Sequence, residues 1–249
     1  MCGTCGCEAP SGTRTLELER DVLAKNDAIA EHNRLRLNAL DAVAINLMSS
    51  PGSGKTTLLE ATLRALDGRS PVAVVEGDQA ASLDADRLRA LGCRTVQLNT
   101  GSGCHLDAEM LDRALAELDL EPGTVLFVEN VGNLVCPALF DLGEQHKVVL
   151  AATTEGEDKP LKYPHMFRAA DLVLLTKTDL LPHLDFDEAH FASHLSRINP
   201  RARLLSVCAP RGDGMDQWLG WLRSARSVPS GSASAAASAA SSAASSASS

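Results

Sequence analysis

This sequence predicts an α/β fold with a doubly wound, mostly parallel sheet, and three observations carry that reading. Short apolar runs alternate with helical periodicity at the spacing of strand–helix units. Aromatic residues are only 3% of the 249, so Leu, Val, Ala and Ile must build the core, which suits parallel strands covered on both faces. A glycine-rich turn, Ser49-Ser50-Pro51-Gly52-Ser53-Gly54-Lys55-Thr56-Thr57, follows an apolar strand and opens a helix, which is the setting of a P-loop.

The elements follow in order. Residues 1–14 form an arm holding Cys2, Cys5 and Cys7, three of the seven cysteines. No core can form around three thiols so close together at a terminus, but they can grip a metal. A leading helix is expected over 15–42, where Leu16, Val22, Leu23, Ile29 and Leu37 are apolar and charges lie between them. The body spans 43–228. Strands are expected at Ala44–Met48, Val72–Val75, Val96–Leu98, Val125–Val128, Val148–Ala151, Leu172–Leu175 and Leu204–Val207. Helices are expected at Thr56–Leu66, Asp84–Leu91, Leu106–Leu118, Asp187–Ile198 and Met215–Arg226. Residues 229–249 are almost wholly Ser and Ala, cannot bury apolar surface, and are expected to be disordered.

Net charge is −9, pI about 5.2 and mean hydropathy −0.03. An acidic chain without a basic run is a poor match for nucleic acid or an anionic membrane. No run approaches the ~20 apolar residues of a membrane span, and the N-terminus has no apolar signal region. An odd number of cysteines with C-x-x-C spacing points to metal or redox work in the cytoplasm rather than to disulfides.

In the P-loop, Gly52, Ser53, Gly54, Lys55, Thr56 and Thr57 would surround a phosphate chain. Glycines let backbone N–H groups turn inward, and the helix N-terminus adds its positive end. Lys55 can neutralise β- and γ-phosphate charge, and the Thr56 hydroxyl can bind Mg²⁺. The usual first glycine is replaced by Ser49, a departure expected to be tolerated. Two carboxylates end strands and are candidates for the Mg²⁺ shell, Asp78 and Glu129. Both are expected at the C-terminal edge of the sheet, where ligands of such folds bind.

Thr176-Lys177-Thr178-Asp179 follows the sixth predicted strand and is similar to the guanine-recognition sequence Asn-Lys-x-Asp. The Asp179 carboxylate can accept from guanine N1–H and its exocyclic amine, whereas adenine offers no such donor pair. Lys177 can lay its stem across the base. Thr176 replaces an amide that normally braces the loop, so somewhat weaker binding is expected. Cys208-Ala209 lies where a Ser-Ala pair donates to guanine O6. GTP and GDP are therefore the expected nucleotides.

Cys104, His105 and Cys136 form a second thiol set, each a few residues beyond a strand. Cys with His favours Zn²⁺ or Ni²⁺. Three ligands leave a position for water or a second subunit. Cys93 reads as a small buried hydrophobe.

The cysteine arm, the P-loop, Glu76-Gly77-Asp78, Cys104-His105-Leu106-Asp107, Glu129-Asn130-Val131-Gly132-Asn133-Leu134-Val135-Cys136-Pro137 and Glu157-Asp158-Lys159-Pro160 occur in one order. In combination, over roughly residues 1–226, the chain resembles the hydrogenase nickel-incorporation GTPases of the HypB family. The resemblance implies a metallochaperone that delivers Ni²⁺ to the large subunit of [NiFe]-hydrogenase in a GTP-dependent step, with slow intrinsic hydrolysis. It implies a nucleotide-dependent homodimer, Zn²⁺ or Ni²⁺ at Cys104, His105 and Cys136, a HypA-type zinc-binding accessory partner and, in some cases, a peptidyl-prolyl isomerase. It also implies that Cys2, Cys5, Cys7 and the terminal amine can give Ni²⁺ a planar site. Scattered histidines argue against a nickel-storage version. Two alternatives are an accessory GTPase for another nickel enzyme, of the urease type, and a P-loop small-molecule kinase. The cysteine arm weighs against the first and Thr176–Asp179 against the second.

Overall fold

The computed structural model describes residues 11–78, 83–101, 103 and 105–227. Cys2, Cys5, Cys7, Cys104 and the Ser/Ala tail lie outside the described residues, as does the Asp78 side chain.

The leading helix, α1, runs Ser11–Ala39, so it begins inside the segment expected to be arm and stops short of residue 42. Its end has a local cause. Asp41 takes a left-handed φ of 48°, and the Ala42 N–H turns back to Leu37 O at 3.0 Å, as at many helix C-termini.

Among the described residues seven strands follow: β1 Val43–Ser49, β2 Val72–Asp78, β3 Arg94–Asn99, β4 Val125–Gly132, β5 His146–Ala152, β6 Leu172–Thr176 and β7 Arg203–Val207. They form one sheet of order β3-β2-β4-β1-β5-β6-β7, and every neighbouring pair is parallel. Between them lie α2 Lys55–Leu66, α3 Leu83–Ala90, α4 Ala108–Leu118, α5 Lys159–Lys162, α6 Pro164–Ala169, α7 Glu188–Ile198 and α8 Met215–Ser227. Each predicted strand and helix is present, with ends moved by at most four residues. The short helices α5 and α6 carry no legible periodicity, and each starts around a proline in its first turn.

Strand periodicity sorts the core onto two faces. Val43, Ile45 and Leu47 of β1, with Val74, Val125 and Phe127, pack with Leu58, Leu59 and Trp218 of α2 and α8. Ala44, Ala73, Val75, Leu126 and Val128 face Leu37 of α1 and Leu111 and Leu115 of α4. Further along, Met48, Val149 and Val173 meet Phe167 and Phe191 of α6 and α7. After β1 the chain moves to one side of the sheet and after β4 to the other. The crevice beyond the C-terminal ends of β1 and β4 is therefore the switch point where such sheets bind ligands.

Helix α1 lies against this body at close range. Gly143 has φ +90°, and a Cβ there would sit 2.3 Å from Ala30 O. Gly143→Ala is expected to destabilise the protein by about 2–4 kcal/mol, combining backbone strain with a clash against helix backbone. Urea unfolding should show a lower midpoint with an unchanged slope.

Candidate nucleotide and metal site

The P-loop leaves β1 at the centre of the sheet. Gly52 and Gly54 take φ of 71° and 94°, conformations a side chain would strain. Gly132, at the end of β4, lies so near Pro51 that a Cβ would meet its ring at 2.8 Å. The loop and the end of β4 thus meet at the switch point.

The buried Ser49 explains its own presence. Its hydroxyl accepts from Lys55 Nζ at 2.9 Å and donates to Ser50 O at 2.7 Å. A serine at this position steadies the lysine instead of weakening the loop. Ser50 and Ser53 hydroxyls donate to the Glu155 carboxylate at 2.9 and 2.7 Å. Lys159 ion-pairs with Glu155 and reaches Ser50 Oγ at 2.5 Å. Glu155 and Lys159 therefore hold the outer side of the loop, a role the sequence reading missed, although Lys159 belongs to one of the quoted motifs.

The Thr56 hydroxyl donates to Glu129 Oε1 at 2.9 Å, and both residues are buried. A hydroxyl facing a carboxylate at the foot of a P-loop is the donor set Mg²⁺ takes, so these residues fit that ion. Glu76 is a further candidate. It is the register partner of Glu129 across β2 and β4, is 3% exposed, and lines with Lys55, Asp84 and Glu129 a cavity of about 300 Å³. The signal was available. Glu76 stands two residues before Asp78 in the same quoted Glu-Gly-Asp motif.

At the expected base-recognition sequence, Lys177 takes a left-handed φ of 58° and turns the chain into a 3-10 turn at Thr178–His183. The Thr176 hydroxyl donates to Ser53 O at 2.7 Å. This corrects the expectation that threonine removes the brace: its hydroxyl ties β6 to the P-loop directly. Thr176→Ala is expected to cost about 1 kcal/mol of stability and to weaken nucleotide binding severalfold, measured by thermal unfolding and titration. Cys208 is fully buried, with Sγ 3.2 Å from Asp179 Oδ1. Burial, reinforced by that carboxylate, pushes the thiol up, so it stays protonated and donates to Asp179.

The metal candidates are only partly within the described residues. His105 is half-buried and its ring lies tilted by 31° against Phe140, ring centroids 4.0 Å apart. Burial pushes its imidazole down, partly opposed by Asp107, which favours the neutral form a metal needs. Cys136 opens a 3-10 turn, Cys136–Ala138, just past β4 and is half-buried, with Val135 and Leu139 exposed beside it. Among the described residues no three His, Cys, Asp or Glu side chains gather as a metal site, and Cys104 lies outside them. Cys93 is buried, with Sγ 3.7 Å from Val72 O, as a small core residue.

The fold and this edge of the sheet define a P-loop nucleotide-binding domain, and comparison with known proteins agrees. Residues 43–206 match the family model described as CobW/HypB/UreG, nucleotide-binding domain. The chain is 56% identical over 218 residues to hydrogenase maturation factor HypB of Azotobacter vinelandii, covering 88% of this chain and 72% of that protein. It is 54% identical to the HypB of Escherichia coli K12, covering 90% and 78%. A crystal structure of HypB from Helicobacter pylori in complex with nickel superposes with a TM-score of 0.78 at 36% identity, covering 81% of this chain and 95% of that one. The chain belongs to the HypB family of hydrogenase maturation factors.

Proposed function

We propose that this protein is a GTP-hydrolysing nickel metallochaperone acting in maturation of the [NiFe]-hydrogenase large subunit. One observation carries the reading. The phosphate loop, the Asp179 carboxylate and the segments bearing His105 and Cys136 all leave the same edge of one sheet. Relatives named hydrogenase maturation factor, and one crystallised with nickel, support it.

Gly52–Thr57 hold the phosphates, with Lys55 against their charge, and Asp179 and Cys208-Ala209 select guanine. Thr56 and Glu129, with Asp78, hold Mg²⁺, which supplies charge neutralisation at the phosphates. Glu76 lines the same cavity as Lys55. Hydrolysis is slow, and a partner or second copy completes the site. The cargo is Ni²⁺, taken at Cys2, Cys5 and Cys7, with Zn²⁺ or Ni²⁺ at Cys104, His105 and Cys136. The γ-phosphate orders the loops that lead to those residues, and its loss releases them. A nucleotide-dependent homodimer, a HypA-type accessory protein, the hydrogenase large subunit and, in some members of the family, a peptidyl-prolyl isomerase are the partners. The setting is cytoplasmic.

The test is a Ni²⁺ and Zn²⁺ titration of the full chain beside a truncation lacking residues 1–7, with GTP and ATP competed in parallel. Loss of one tight Ni²⁺ site on truncation, with GTP preferred, is expected. Unchanged stoichiometry removes the arm from the mechanism, and equal GTP and ATP affinity removes the GTPase.

A further inference from the structure

Two asparagines on α1, Asn26 and Asn33, are 6% and 0% exposed. Seven residues apart, they share one face of the helix. A mid-helix asparagine has poor propensity and carries an amide that is costly to bury, so leucine would serve packing better. What these amides do is bridge the same two segments twice. Asn26 Oδ1 accepts from the Ala108 N–H at 2.9 Å, and its Nδ2 donates to Asp141 O at 2.7 Å. Asn33 Nδ2 donates to Ala108 O at 2.9 Å and to Leu142 O at 3.0 Å. Arg34 adds an ion pair to Asp141 at 2.7 Å.

The two bridged segments are the ones that carry His105 and Cys136. Ala108 lies three residues beyond His105, and Asp141 lies five beyond Cys136. Inside the body a second polar chain joins them. The Leu106 N–H donates to Asn130 Oδ1 at 3.1 Å, and Asn130 Nδ2 donates to Asn46 Oδ1 at 3.2 Å. Asn46 Nδ2 then donates to Glu144 Oε1 at 3.1 Å, while Glu144 Oε2 accepts from the Leu142 N–H at 2.7 Å. Asn130 adjoins Glu129, which holds the Thr56 hydroxyl of the P-loop.

We propose that Asn26 and Asn33 are positioning residues for the metal site: by bridging residue 108 to residues 141–142 they fix the spacing of the segments bearing His105 and Cys136. Metal affinity there then depends on the seating of the same helix that leads from the cysteine arm. This rests on the reading of Cys104, His105 and Cys136 as a metal site.

The test is a Zn²⁺ titration of the full chain with Cys2, Cys5 and Cys7 changed to Ser, so that only the second site is read. Asn26→Ala and Asn33→Ala are expected to weaken Zn²⁺ binding about 10- to 100-fold, the usual cost of removing support behind a metal ligand, with GTP affinity nearly unchanged. Asn26→Ala keeps the test available should Asn33→Ala fail to fold. A lower melting temperature with unchanged Zn²⁺ affinity would mean a purely structural latch and would overturn the proposal. Cys136→Ser in the same series must lose the site. If it titrates like its parent, the metal-site reading falls and takes the proposal with it, a failure distinct from an effect missing only in the asparagine variants.

Discussion

Lys55→Ala is expected to slow GTP hydrolysis by about 10²- to 10³-fold and to weaken GTP binding, while the protein stays folded. Lys55 is the cation that both opens α2 and lines the cavity at the switch point. Its ammonium acts in a water-poor setting, being only 8% exposed, where one charge is worth more than in bulk solvent. Held by Ser49 Oγ at 2.9 Å, it needs little reorganisation to meet a phosphate. Stability should change little, because the substitution removes a buried charge and Ser49 keeps its own bond to Ser50 O. Single-turnover hydrolysis and nucleotide titration measure the effect, with circular dichroism as the fold control. Hydrolysis within a fewfold of the wild type would mean the phosphates bind elsewhere.

Asp179→Ala should abolish the preference for GTP over ATP. The carboxylate would accept two hydrogen bonds from guanine, each worth about 1.5–3 kcal/mol because one partner is charged, so GTP affinity should fall by at least about 10²-fold. ATP, which offers Asp179 no donor pair, should bind as before. The Cys208 thiol, 3.2 Å from Asp179 Oδ1, holds the carboxylate in one orientation. Cys208→Ala is accordingly expected to weaken GTP binding modestly, about threefold to tenfold for one weak bond. Competition titrations of GTP against ATP measure both variants.

The strand–loop–helix unit at β1 and α2 was legible because its residues are contiguous: an apolar strand, a glycine-rich turn, then Lys55 and Thr56. Two helix starts carry capping side chains that the expected bounds did not use, and the helix expected from Leu106 begins at Ala108. Asp187 accepts from Ala189 N–H at 2.7 Å and Asp107 from Met110 N–H at 2.8 Å, each just before its helix. What failed needed tertiary geometry. Thr176 looked like a lost amide until Ser53 O was found 2.7 Å from its hydroxyl. Glu76 was not among the candidates, because only its register with Glu129 across β2 and β4 brings it to the cavity. Asn26 and Asn33 resembled ordinary polar helix residues, since their partners lie 75 to 115 positions away.

The most direct test of a nucleotide-switched metal carrier is the Ni²⁺ affinity of the Cys104, His105 and Cys136 site, measured with the arm thiols replaced. It is compared between the protein loaded with GDP and with a non-hydrolysable GTP analogue. Coupling of two sites through one fold predicts a difference of about fivefold or more, with a matching shift in nucleotide affinity when Ni²⁺ is present. Equal Ni²⁺ affinity in the two nucleotide states would contradict it.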